Sequence, residues 1–460
     1  MDIDPTIFRA YDIRGIVDQN LSADVVRLIG HAIGTETLAC GEKTIFIGRD
    51  GRLSGPELSK SLAEGITASG CDVVDLGMVP TPVLYFATHI FDTKSGVMLT
   101  GSHNPVNYNG LKVIIAGETL ALNRIQKLYQ RIVQNDFTSG NGKIRKQNLI
   151  PHYMDRICGD VKVKRRLKVV IDCGNGVGGT LLPELYQRLG CDVDCLFCKI
   201  DGTFPNHHPD PSEIKNLQDL IAAVKHQRAD IGLAFDGDCD RLGLITNEGE
   251  NIWPDRELMV FAIDVLSRNP GAGIIYDVKC TSHLKDLILS YGGKPIMWNT
   301  GHSYIKEKIY AEPNAQLAGE MSGHMFFKER WYGFDDAIYA GARLLEIISR
   351  QTKTVGEIFR ALPNSVNTPE LRLPIDDQEK FTFMKKFTQQ AQFSEGEIIT
   401  IDGVRVNFPN YGGFGLVRPS NTTPYLILRF EANTEAELQK IQDLFRKEIL
   451  KINPDLKLPF

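Results

Sequence analysis

Four short loops concentrate side chains able to do chemistry. Thr100-Gly101-Ser102-His103-Asn104-Pro105 follows the apolar run Gly96-Val97-Met98-Leu99. Glycine ahead of a serine lets the backbone turn sharply and expose the hydroxyl. His103 can hydrogen-bond that hydroxyl or exchange a proton with it, and Lys112 follows at short range. The bland alternative is a polar turn whose serine caps a helix. Asp236-Gly237-Asp238-Cys239-Asp240-Arg241 sets three carboxylates at alternate positions. They can converge on one hard cation, and left unpaired they would repel. An EF-hand would need glycine sixth and glutamate twelfth, where Arg241 and Asn247 stand. Three protein carboxylates suit Mg²⁺ completed by water and a phosphate oxygen, with Arg241 free to grip an anion.

The third loop, Gly319-Glu320-Met321-Ser322-Gly323-His324, brings a carboxylate, a hydroxyl and an imidazole together. These groups suit sugar hydroxyls better than phosphates. The fourth, Arg418-Pro419-Ser420-Asn421-Thr422-Thr423, follows Gly412, Gly413 and Gly415 and reads as an anion nest. Gly174-Asn175-Gly176-Val177-Gly178-Gly179 matches a dinucleotide fingerprint, with Asp192 and Asp194 further on. Asp172-Cys173 intrudes before its first glycine, and the comparable segments elsewhere lack the motif, so NAD binding is not expected.

The elements that position these loops repeat. A β-rich run, a helical pattern and a second β-run occur from Thr44, again from Val169 and again from Ile274. The triplet Gly-Cys-Asp closes the helix at 70–72 and at 190–192. This predicts three tandem similar α/β domains with mixed, mostly parallel sheets. The last hundred residues differ. Pro363 to Pro369 reads as a linker, Asp402-Gly403 as a tight hairpin turn, and Thr434 with Glu437 as a capping box. A smaller C-terminal α+β domain is expected, all four units surrounding a central cleft. The expected boundaries are 1–148, 149–250, 251–362 and 363–460.

Composition narrows the class. The 460 residues suggest about three domains, with four possible, at roughly 150 residues each. A net charge of −5 argues against broad nucleic-acid affinity. The basic cluster Lys162, Lys164, Arg165, Arg166 and Lys168 reads as a solvated turn. No stretch reaches the ~18 apolar residues of a membrane span. The acidic start Met1-Asp2-Ile3-Asp4-Pro5 carries no signal-peptide pattern. Nine scattered cysteines fit a reducing compartment. Cys195 and Cys198 have the spacing of a zinc or redox pair, but no second pair follows, so neither role is expected. The expectation is a cytoplasmic monomer with no nucleic-acid or membrane partner.

Taken together, the loops resemble those of the α-D-phosphohexomutases, in their bacterial phosphomannomutase/phosphoglucomutase branch. The resemblance runs from Phe8-Arg9-Ala10-Tyr11-Asp12-Ile13-Arg14-Gly15 to Arg429-Phe430-Glu431. It implies interconversion of hexose 1-phosphate and 6-phosphate, of mannose and glucose, through a phosphoserine and a 1,6-bisphosphate. Ser102 is then the phosphoserine and, with Asp236, Asp238 and Asp240, a Mg²⁺ ligand. Glu320 and Ser322 would hold sugar hydroxyls. Arg418, Ser420, Asn421, Thr422 and Thr423 would hold the substrate's phosphate. Arg14, Lys112, Arg241, Lys279, His302 and His324 fall at cleft positions, and Tyr11 joins the substrate contacts. Lys112 or His103 would handle the hydroxyl proton. Glucose 1,6-bisphosphate is the implied intermediate and activator. Cys239 stands where many relatives have glycine. The alternatives are phosphoglucosamine mutase, disfavoured by Met321 where that subgroup has glutamine, a serine phosphatase or hydrolase, and a silent sugar-phosphate sensor.

Overall fold

The computed structural model describes residues 3–421 and 423–460. Its first sheet runs in the order Ile13–Ile16, Tyr108–Ile115, Gly96–Leu99, Thr44–Arg49, Asp72–Met78, Ile144–Lys146, with Glu118–Thr119 paired to Tyr108–Ile115. The four strands from Gly96–Leu99 to Ile144–Lys146 are parallel, and Tyr108–Ile115 returns antiparallel. The second sheet is ordered Asn251–Ile252, Leu242–Thr246, Ile231–Phe235, Lys168–Asp172, Asp192–Leu196. The third is Lys294–Trp298, Gly273–Asp277, Ala315–Gly319, Met325–Phe327. Each repeats one plan, in which parallel strands joined by helices end in an antiparallel return. Alternation of apolar runs with amphipathic helices dictates this, since a parallel neighbour needs a crossover long enough to hold a helix.

The fourth sheet is antiparallel, in the order Val366–Asn367, Tyr425–Ala432, Gly413–Pro419, Val404–Phe408, Glu397–Ile399, and Leu371–Pro374 also pairs with Tyr425–Ala432. Helices Glu379–Gln390 and Glu435–Ile452 supply Phe383, Phe387, Ile441, Phe445 and Ile449 to its core. Three α/β domains and a smaller α+β domain are thus what the chain builds.

Three local expectations are corrected. Val366–Asn367 is a strand of the fourth sheet, so only the first part of the expected linker is free to bend. Ile399 pairs with Arg405, which makes the 400–404 connection longer than a two-residue turn. At Thr434 the side chain caps Glu437 N, whereas the full reciprocal capping box sits at Thr354 and Glu357. The glycine-rich segment leads through a 3-10 turn, Val177–Thr180, into the expected helix, Leu182–Arg188. A Cβ on Gly176 would lie 2.8 Å from Gly237 O, so this glycine serves close packing against the acidic loop.

One apolar cluster runs without a break through the first three domains, from Phe46 and Leu84 through Tyr186 and Phe235 to Phe261 and Phe359. The fourth domain keeps its own core. It meets the third through a small apolar cluster of Val278, Phe414 and Leu416, and through charge. Arg405 Nη1 donates to Val278 O at 2.6 Å and Cys280 O at 2.7 Å, and Arg429 Nη1 to Asp255 Oδ2 at 3.1 Å. All nine cysteines are free thiols. Cys198 Sγ lies 3.2 Å from Cys173 Sγ. No helix among the described residues is long and apolar enough to cross a membrane.

Candidate active site

Three of the four loops occupy one position in the repeat. Each links a parallel strand to its antiparallel return: 100–107 after Gly96–Leu99, 236–241 after Ile231–Phe235, and 320–324 after Ala315–Gly319. All therefore lie at carboxyl ends of strands, where open α/β sheets bind ligands. The fourth loop is the hairpin between Gly413–Pro419 and Tyr425–Ala432.

Ser102 is 2 % exposed and has φ 46°, in the left-handed region. Its N–H donates to Thr100 Oγ1 at 2.8 Å, and Thr100 Oγ1 donates to Asp50 Oδ2 at 2.8 Å. Its hydroxyl donates to Asp236 Oδ2 at 2.7 Å and lies 3.1 Å from His103 Nδ1. Burial pushes His103 well below its usual value, and Arg241 and Arg14 push it further the same way.

Asp236, Asp238 and Asp240 are fully buried, with one ligand oxygen of each within 4.8 Å of the others. Asp236 Oδ1 accepts the N–H groups of Asp240 and Arg241, both at 3.1 Å. Thr81 Oγ1 reaches Asp238 Oδ2 at 2.5 Å. Lys112 Nζ donates to Asp238 Oδ2 at 2.7 Å and to Asp240 Oδ2. Burial opposes the charge on Lys112, yet those two carboxylates hold its ammonium above the ordinary range. Burial also drives Asp236 well above the usual carboxylate value, with Asp240 and Asp238 adding repulsion. Asp238 Oδ1 is buried with no hydrogen-bond partner among the described residues. Excess negative charge and an orphaned hard oxygen are what a divalent cation would complete. Cys239 has φ 63°, a conformation glycine adopts without cost, which explains why glycine would also fit there.

His324 joins this loop to the third. Its Nε2 lies 3.3 Å from Asp240 Oδ1, and its Nδ1 lies 2.9 Å from Glu320 Oε2 and 3.0 Å from Ser322 Oγ. Burial works against its charge, but Asp240 and then Glu320 lift it to about 9. Glu320 Oε1 accepts Gly301 N at 2.6 Å. Next along the chain, His302 packs edge-on to Tyr11 with ring centroids 5.3 Å apart, its Nδ1 3.8 Å from Asp335 Oδ2. Lys306 Nζ also meets Asp335, at 2.9 Å. Arg14 pairs with Asp12 at 2.5 Å, and Lys279 with Glu370 of the fourth domain at 3.0 Å.

At the far end Arg418 Nε donates to Asp402 Oδ2 at 2.8 Å, while Asp402 also accepts Thr300 N at 3.0 Å. Arg418 Nη2 is buried without a hydrogen-bond partner among the described residues. Ser420 Oγ and Thr423 Oγ1 lie 2.7 Å apart, and Asn421 Nδ2 reaches Thr300 O at 3.4 Å. Thr422 lies outside the described residues. A continuous polar path thus runs from Ser102 through Asp236, Asp240, His324, Glu320, Gly301, Thr300 and Asp402 to Arg418. It crosses all four domains.

Glu370, Asp335, Thr81, Asp50 and Arg52 were not singled out from the sequence, and Asp402 only as a turn residue. Each is a lone polar residue whose partner lies far along the chain. Only the aspartate and arginine of Asp50-Gly51-Arg52, repeated in kind at Asp277 and Lys279, left a trace in the sequence.

A repeated α/β scaffold with a serine, an acidic triad and a distal arginine along one seam defines an enzyme of the phosphohexomutase class. Four family models match in succession. They are phosphoglucomutase/phosphomannomutase alpha/beta/alpha domain I at residues 5–139, domain II at 151–249, domain III at 253–366 and the C-terminal domain at 370–448. The chain is 55 % identical over 455 residues to a phosphomannomutase/phosphoglucomutase of Pseudomonas aeruginosa, covering 99 % of this chain and 98 % of that one. It is 51 % identical to a phosphoglucomutase of Neisseria gonorrhoeae, covering 98 % of each. A crystal structure of a phosphoglucomutase/phosphomannomutase family protein from Burkholderia thailandensis superposes with a TM-score of 0.95 at 51 % identity, covering 100 % of both chains. The chain belongs to the phosphoglucomutase/phosphomannomutase family.

Proposed function

We propose that this mutase converts the 1-phosphates of glucose and mannose to their 6-phosphates through phosphorylated Ser102. The observation that carries the reading is the polar path, with a buried hydroxyl at one end and, at the other, Arg418 Nη2, which has no hydrogen-bond partner among the described residues. In the forward step the bond between Ser102 Oγ and phosphorus breaks, and a bond from phosphorus to the hexose 6-hydroxyl forms. His103, kept neutral by burial, takes up the hydroxyl proton and gives one to Ser102 Oγ, 3.1 Å from its Nδ1, as that oxygen leaves, while Lys112 stays an ammonium between Asp238 and Asp240. The resulting 1,6-bisphosphate turns end for end and returns its other phosphate to Ser102. Arg418, Ser420, Asn421, Thr422 and Thr423 hold whichever phosphate is not reacting. Arg14, Arg241, Lys279, His302 and Tyr11 line the space between. A Mg²⁺ ion on Asp236, Asp238 and Asp240 would offset charge on the transferring phosphoryl group. Hexose phosphates are the only partners required, and the working unit is a monomer. A coupled assay with mannose, glucose and glucosamine 1-phosphates side by side tests the reading. Conversion of the glucosamine compound alone would overturn it.

Glu320 and Ser322 read hydroxyls that glucose and mannose share. Glu320 is fixed by His324 and Gly301 N, so it cannot swing to follow one epimer. Glu320→Ala is expected to lower kcat/KM about 10- to 100-fold, the worth of one charge-assisted hydrogen bond, for both sugars alike. Loss confined to one epimer would show that the loop reads the 2-hydroxyl.

Arg418 and Ser102 must reach opposite ends of one hexose from separate domains. The fourth domain keeps its own core and meets the third through a small apolar cluster and polar contacts, and the chain is free of sheet pairing just before Val366. Closure on substrate and opening for release follow, and closure keeps water from the phosphoserine. Arg418→Ala is expected to raise KM about 100-fold through loss of a desolvated phosphate contact. Turnover should also depend more on added glucose 1,6-bisphosphate, because the intermediate escapes. Small-angle scattering should show wild type contracting with a substrate analogue. An unchanged radius of gyration together with a normal variant KM would refute both hinge and nest.

A further inference from the structure

In each α/β domain the first parallel strand, Thr44–Arg49, Lys168–Asp172 or Gly273–Asp277, ends at or just before an aspartate that accepts the N–H two residues on. Asp50 Oδ1 accepts from Arg52 at 3.0 Å, Asp172 Oδ1 from Gly174 at 2.8 Å, and Asp277 Oδ1 from Lys279 at 3.2 Å. Arg52, Gly174 and Lys279 therefore occupy one position of the repeat. Lys279 turns toward the fourth domain. Arg52 turns instead into its own domain's catalytic loop. Its Nη2 donates to Ser102 O at 2.9 Å and Asn104 O at 2.6 Å, and its Nη1 to Pro105 O at 2.6 Å and Tyr108 O at 3.0 Å. Nε lies 3.3 Å from Asp50 Oδ2, and the side chain is 0 % exposed. The ring of Phe204, from the second domain, covers the guanidinium at 5.2 Å.

Four carbonyls of one loop converge on one planar cation, a geometry that suits the rigid donor fork of arginine and not the single ammonium of lysine. The loop is shaped around it, since a Cβ on Gly101 would stand 2.2 Å from Arg52 Nε. Ser102 sits in the left-handed region, which persists only where surrounding contacts over-determine it. The loop must also keep its shape while its serine gains and loses a doubly charged group in every cycle.

We propose that Arg52 is a positioning residue that clamps loop 102–108 and keeps Ser102 Oγ aimed at the acidic loop in both phosphorylation states. This rests on Ser102 as the phosphate carrier. It touches neither the sugar contacts nor the distal phosphate nest, so it governs kcat and leaves KM alone. The test is steady-state kinetics and circular dichroism on Arg52→Lys and Arg52→Gln, with Ser102→Ala measured in parallel. Both arginine variants should fold and keep the KM for hexose 1-phosphate. Their kcat should fall on the order of 10²-fold, the cost of a misplacement of about 1 Å. Wild-type kcat in Arg52→Lys would overturn the proposal, as would a KM that rises in step with the fall in kcat. Failure of both variants to fold would also overturn it, by assigning Arg52 to domain stability. An active Ser102→Ala variant would instead overturn the phosphoserine reading, whatever Arg52 does.

Discussion

Ser102→Ala is expected to lower turnover by on the order of 10⁴-fold or more, as removal of an attacking group does elsewhere. The hydroxyl is placed directly against the acidic triad, 2.7 Å from Asp236 Oδ2. The nearest hydroxyls do not stand in, because Thr100 Oγ1 is committed to Asp50 and Thr81 Oγ1 to Asp238. The fold should survive. Serine and alanine both carry the left-handed strain at this position, so stability should change by about 1 kcal/mol at most. Intact-mass measurement should find one phosphate on resting wild type and none on the variant. An unphosphorylated wild type together with an active alanine variant would end the mechanism.

How much of this could be read from the sequence follows from which partners are local. The strand ending at Arg49 and the loop that opens at Thr100 announce themselves, because apolar runs and glycine-serine turns act within a few residues. The acidic triad is equally plain, since its charges alternate within one loop. The repeat was visible because one plan recurs with the same punctuation. Arg52 left only the trace of its place beside Asp50, and its contacts were hidden for the opposite reason. Its partners are backbone carbonyls some fifty residues away, and a carbonyl has no letter in the sequence. Asp402 was read as a turn residue on local grounds, and tertiary contact with Arg418 and Thr300 gave it another task. Val366 was read as linker because prolines flank it, yet it pairs with Ala432 at the edge of a sheet that only the whole fourth domain assembles. Glu370 and Asp335 look like ordinary surface charges until the third domain supplies Lys279 and Lys306.

Asp238→Asn should separate stability from activity. With metal removed, three buried carboxylates face the Lys112 ammonium and the His324 imidazolium, and Asp238 Oδ1 has no donor among the described residues. Taking away one negative charge while keeping the shape relieves repulsion, so the chelated variant should unfold no earlier than chelated wild type, and preferably later. The same change removes one of three anionic ligands. Binding of a cation to the native state stabilises it in proportion to RT ln(1 + [L]/Kd), so Mg²⁺ should raise the Tm of wild type clearly and that of the variant hardly at all. Turnover at fixed Mg²⁺ should fall by on the order of 10²-fold, as loss of one element of charge stabilisation does, and recover partly as Mg²⁺ is raised. Differential scanning fluorimetry with and without Mg²⁺, beside the coupled assay, reads both effects on one sample. Full wild-type activity in excess chelator would show that the acidic loop is balanced by Lys112 and His324 and holds no metal cation during turnover. An equal Mg²⁺-induced Tm shift in both proteins would move the cation away from Asp238, and with it the charge that the transferring phosphoryl group needs.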